Sequence, residues 1–75
     1  MKRKIGDKVR IKSRYEIDRY IKENGDFESG WIDNMYIYCG MEAIIIDFDS
    51  DFELEGYILD IDSDGWAWTN EMFED

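Results

Sequence analysis

The residues best placed to do chemistry in this chain are acidic, and they recur at every second position. Asp60-Ile61-Asp62-Ser63-Asp64-Gly65, with Glu71 after five further residues, fits the calcium-loop pattern. In that pattern Asp60, Asp62 and Asp64 would be carboxylate ligands, Trp66 would give its carbonyl, and Glu71 would close the site. An EF-hand also needs a helix on each side of the loop. Gly56-Tyr57-Ile58-Leu59 reads as strand instead, and four residues after Glu71 are too few for an exiting helix. An acidic strand face, an Asp-Gly turn at Asp64-Gly65 and an aromatic strand returning explain the same letters. No metal and no cofactor is therefore expected.

A second acidic row precedes this one. Asp47, Asp49, Asp51, Glu53 and Glu55 alternate with Phe48, Ser50, Phe52 and Leu54. On a strand such acids project to one side at roughly 6.6–7 Å intervals. With Asp60, Asp62 and Asp64 they would form an acidic face able to imitate the phosphates of DNA and to occupy a nucleic-acid-binding channel. The plainer account is a solvated surface. A different binding surface is available to the aromatics: Trp66 and Trp68, with Tyr57, Tyr36 or Trp31, could line a peptide groove.

Catalytic sets are missing. The chain has no histidine, so Cys39, its one cysteine, has no imidazole partner and reads as a semi-buried small residue before Gly40. Acid pairs such as Asp49 and Asp51 abound, but 75 residues offer little room for a cleft that desolvates one of them. The sequence contains no phosphate loop and no zinc set, and a non-enzymatic protein is expected.

The elements that must carry these residues are short. In 75 residues there is room for one domain, spanning 1–75, and three Trp, five Tyr and four Phe supply its core. All nine Lys and Arg fall within residues 2–22 beside three acids, while residues 23–75 hold sixteen acids and no Lys or Arg; the net charge is −10. Lys8, Arg10, Lys12 and Arg14 form a basic strip, yet the overall charge disfavours direct nucleic-acid binding. A basic strand lying beside acidic ones would neutralise them.

Lys8-Val9-Arg10-Ile11-Lys12 alternates as a strand does. Ser13-Arg14-Tyr15-Glu16 has capping-box spacing, and Ile17, Tyr20 and Ile21 share one helical face, which predicts a helix over about 13–24 ended by Asn24-Gly25. Residues 25–31 read as a loop, and Ile32 to Tyr38 as a helical turn with Met35 and Tyr38 inward. Ala43 to Phe48 reads as a buried strand, Phe52 to Ile61 as the next, and Trp66-Ala67-Trp68 as the return; Thr69 to Phe73 is a final turn. The expected fold is mainly β: a small barrel of four to five strands with a helical insert between the first two.

Gly6-Asp7-Lys8-Val9-Arg10-Ile11, Met35 with Tyr38-Cys39-Gly40, Ala43-Ile44-Ile45, Leu59-Asp60-Ile61-Asp62, Trp66-Ala67-Trp68-Thr69 and Glu71-Met72-Phe73 together resemble the small SH3-like barrels of the mind bomb type. Uncharacterised proteins of this kind are common in phages and prophages of Firmicutes. The resemblance covers nearly the whole chain, with 13–31 as its most variable part. It implies an SH3-like domain whose eukaryotic relatives bind peptides of partner proteins, and it transfers no contact residue. A lone cysteine, no signal peptide and no apolar run long enough for a membrane span point to the cytoplasm; the resemblance implies that this is the cytoplasm of a bacterial host cell. The expected partner is a protein, basic and nucleic-acid-handling, with no role for membrane.

Overall fold

Alternation of charged and apolar side chains produces the first strand, β1 (Lys8–Arg10), with Val9 buried and both cations exposed. The computed structural model describes residues 3–27, 30–49 and 56–74. The helix follows, α1 (Arg14–Asn24). Its capping box is present: Ser13 Oγ accepts the Glu16 N–H at 3.3 Å, and the Glu16 carboxylate accepts the Ser13 N–H at 3.5 Å. Ile17 is buried, and Tyr20 and Ile21 pack partly buried against the core. Gly25 stops the helix at φ 81°, a conformation that disfavours a side chain, and its N–H donates to the Ile21 carbonyl at 2.8 Å. A 3-10 helix, Asp33–Tyr38, then buries Met35.

β2 (Glu42–Asp49) runs antiparallel to both β1 and β3 (Gly56–Leu59), giving a three-stranded sheet in the order β1-β2-β3. Val9 pairs with Ala43 and Ile45 with Leu59, and all four side chains are buried. Continued alternation would send Asp47 into the same core. A bulge prevents it: Ile45 faces Leu59 and Asp47 faces Ile58, so Ile46 is the extra residue. One inserted residue inverts the faces of everything beyond it. Asp47 is thereby exposed, and Phe48 turns inward, its ring 5.9 Å from that of Tyr57.

Both edges of the sheet are extended by single bridges. Tyr57 and Trp68 exchange backbone hydrogen bonds of 2.8 and 2.9 Å beside β3. On the β1 side, Ile11 bridges Phe73, Lys12 N–H donates to the Met72 carbonyl, and Glu74 N–H donates to the Arg10 carbonyl. A short 3-10 helix, Asn70–Met72, joins the two contacts and buries Met72. Among the described residues the core is Val9, Ile11, Ile17, Phe27, Met35, Ala43, Ile45, Tyr57, Leu59, Trp68, Met72 and Phe73. The radius of gyration, 11.4 Å, is that of a compact chain of this length.

The expected mainly β barrel of four to five strands is met only in part. Among the described residues the regular structure is three antiparallel strands and one helix, a mixed α/β domain. A two-residue hairpin at Asp64-Gly65 would pair Ser63 with Trp66 and hence Ile61 with Trp68. Trp68 instead pairs with Tyr57, and Trp66-Ala67-Trp68 contributes one bridge and no strand. The Asp62 carboxylate accepts the Asp64 and Trp66 N–H groups, which holds residues 62–66 in a loop. No helix among the described residues is long and apolar enough to cross a membrane.

Candidate functional site

The acids of the two rows have separate fates. Asp51, Glu53 and Glu55 lie outside the described residues. Asp47 is exposed and its Oδ1 accepts the Phe48 N–H; Asp49 is half-buried. Asp60 is exposed, and its Oδ1 accepts the Ile44 N–H at 2.9 Å across the sheet. Asp64 is exposed. Asp62 does not belong to an outward face: it is 5% exposed. Its Oδ1 accepts the Asp64 N–H at 2.9 Å, and its Oδ2 accepts the Trp66 N–H at 2.9 Å and the Trp68 indole N–H at 3.0 Å.

This hub also reshapes the calcium reading. The central acid of the motif has its lone pairs turned to N–H donors, and Asp60 is held toward β2. Glu71 sits exposed in the 3-10 helix Asn70–Met72. Among the described residues no group of three acids or thiols is arranged to hold a metal.

Basic side chains are largely taken up within the molecule. Glu42 receives Arg10 at 3.2 Å and Lys8 at 3.6 Å, and Arg10 also reaches Glu74 at 3.9 Å. Arg19 pairs with Glu23 at 2.9 Å. Three further cations lie on aromatic rings: Arg3 over Phe73, Lys12 over Tyr20 and Arg14 over Tyr36. The basic strand thus neutralises neighbours of its own sheet, as cross-strand pairing allows. Among the described residues Asp26, Asp33, Asp47, Asp60, Asp64 and Glu71 are exposed and form no ion pair.

The aromatic set divides into a buried floor and a partly exposed upper layer. Tyr57 and Trp68 are fully buried, which takes both out of any groove surface. They face each other across the bridge beside β3, with Tyr57 against Phe48 and Phe73 and its hydroxyl accepting the Arg3 N–H. Trp31, Tyr36, Tyr38 and Trp66 are half-buried. Tyr38 meets the edges of Trp66 and Trp68 at 6.4 and 5.9 Å, so both indoles do share one neighbour. Trp31 packs edge-on against Trp68 at 5.9 Å and Tyr36 at 5.3 Å, and its indole N–H is buried without a hydrogen-bond partner among the described residues.

Tyr36 donates its hydroxyl to Asp18 at 2.5 Å, and this bond, then burial, raises the phenol above its ordinary range. Burial, then the charges of Asp62 and Asp64, raise Tyr38 likewise. The Arg14–Tyr36–Asp18 set is not marked by a sequence motif: Arg14 and Asp18 stand one turn apart on α1, and the 3-10 helix Asp33–Tyr38 brings Tyr36 to them. Cys39 is half-buried, and burial pushes its thiol up, away from the thiolate that a nucleophile needs. Comparison with protein-family models, with curated proteins and with solved structures finds no match to this chain.

Proposed function

We propose that this chain is a non-catalytic protein-binding module that engages a basic, nucleic-acid-handling protein through its acidic surface, as a DNA mimic does. One observation carries it: Lys8, Arg10, Lys12, Arg14 and Arg19 are engaged on Glu42, Glu74, Glu23 and aromatic rings, while exposed Asp47, Asp60 and Asp64 form no ion pair among the described residues. Uncompensated charge on a folded surface steers oppositely charged partners. The bridges at Trp68 and Phe73, which extend the sheet at both edges, support an SH3-like barrel. The resemblance to mind bomb-type proteins common in phages and prophages supports a phage- or prophage-encoded module that acts in the bacterial cytoplasm.

Affinity capture from a bacterial lysate tests this. The retained partner should be basic, leave in high salt and be displaced by added DNA. A variant with Asn or Gln at Asp47, Asp51, Glu53, Glu55, Asp60 and Asp64 should capture nothing; equal capture by it would refute the proposal. Asp62 is left intact because it holds the turn.

An SH3-like peptide groove is the second reading, favoured by the half-buried cluster of Trp31, Tyr36, Tyr38 and Trp66. Its partner should survive high salt and be lost in Trp66→Ala.

A further inference from the structure

This molecule already seats one of its own cations on a tyrosine beside a carboxylate. The Arg14 guanidinium lies 4.5 Å from the centre of the Tyr36 ring, and the Tyr36 hydroxyl is bonded to Asp18. The 3-10 helix that carries Tyr36 also carries Tyr38. Tyr38 has aromatic neighbours and no cation over its ring. Its ring meets Trp66 edge to face, and both rings are partly exposed above buried Trp68. Asp64 is exposed and forms no ion pair among the described residues, and its N–H and that of Trp66 are held by the same Asp62 carboxylate, which sets it beside the Trp66 turn. That hydroxyl has no hydrogen-bond partner among the described residues, and no described cation lies over either ring.

We infer that Tyr38, Trp66 and Asp64 form a seat for one arginine side chain of a basic partner segment. The inference rests on the proposed basic partner and says where one of its residues docks. Charge complementarity selects a cation. The pairing of aromatic faces with a carboxylate selects guanidinium over ammonium, because a planar, weakly hydrated fork can stack and hydrogen-bond at once. The partner's arginine would repeat what Arg14 does at Tyr36.

The test uses the full chain and a ten-residue peptide of alternating Gly and Arg, followed by the indole N–H signals of the three tryptophans. The Trp66 signal should move most. Asp64→Asn, an exposed and nearly isosteric change, should weaken binding about tenfold, and Trp66→Ala by a similar factor. Asp33→Asn makes the same charge change at the opposite end of the 3-10 helix that carries Tyr38 and should weaken it less than about twofold. Exchanging arginine for citrulline should abolish the Trp66 shift, and exchanging it for lysine should reduce it. Equal effects of Asp33→Asn and Asp64→Asn, or a Trp66 signal that stays still, would overturn the seat. If Asp64→Asn binds the peptide normally while lysate capture stays salt-dependent, the seat fails and the acidic-surface proposal stands. If wild type binds the peptide at Trp66 but captures no basic protein, the proposed partner fails instead.

Discussion

Two segments of this protein are organised by a side-chain oxygen that collects N–H groups, and they differ in depth. At the start of α1, Ser13 Oγ takes one backbone N–H at 3.3 Å in a partly exposed setting. In the loop after β3, buried Asp62 takes two backbone N–H groups and an indole N–H, all at about 3 Å. Water can stand in for the serine. It cannot easily reach the Trp68 indole, which is 0% exposed. The same kind of bond is therefore a small local aid in one place and a condition of core packing in the other, because an unmade buried bond costs far more than an exposed one.

The largest effect is expected from Asp62→Ala. It strands three donors, one of them fully buried, at about 1–3 kcal/mol for each that water cannot reach. A loss of about 3 kcal/mol or more should appear as a lower denaturant midpoint, a large share of the stability of a small domain. Asp62→Asn, which keeps one acceptor oxygen, should lose less. If Asp62→Ala loses no more than a helix cap does, depth is not the deciding variable.

Ser13→Ala sharpens the contrast from the other side. It should cost about 1 kcal/mol, measured in the same denaturation experiment, with the helix still formed. A loss as large as that of Asp62→Ala would mean that α1 is anchored mainly by its cap and not by Ile17 against the core.

Smaller still is the expected effect of Glu42→Gln. It removes exposed pairs to Lys8 and Arg10, and the loss should stay under about 1 kcal/mol and vanish in high salt. A large, salt-independent loss would show that the sheet edge depends on these pairs.

The smallest expected effect is a pH dependence at alkaline pH. The Asp18 bond raises the Tyr36 phenol above its ordinary value, and burial raises that of Tyr38. Between the unfolded phenol's pKa, about 10, and the raised folded value, the folded state holds protons that the unfolded chain has released. Stability is then fully present below that window and falls as pH rises through it. Tyr36→Phe should reduce the slope without removing it, because Tyr38 still contributes; an unchanged slope would exclude the Asp18 bond as a source.

Much of the helix and strand plan was legible in the residues. The capping box at Ser13, the apolar face of Ile17, Tyr20 and Ile21, and Gly25 are local signals, and α1 appears within a residue of its expected bounds. The β-branched run after Met41 became β2, and the expected turn after Thr69 places Met72 and Phe73 in the core. The candidate site was less legible. Asp62 has the same flanking pattern as Asp60 and Asp64, so alternation alone made all three surface acids. Tyr57 and Trp68 looked available for a groove because composition does not reveal which aromatic a short core consumes.

What the sequence determined by itself is whatever depends on neighbours within a few positions: where α1 begins and ends, which segments alternate, and the division of charge between residues 2–22 and 23–75. Tertiary structure decided what depends on partners far along the chain. The bulge at Ile46 arises only when β2 meets β3, and it is what places Asp47 outside and Phe48 inside. Asp62 became an internal hub because Trp68, six residues on, is held under it by its bridge to Tyr57. A carboxylate follows the donors that surround it, and those are assembled by packing.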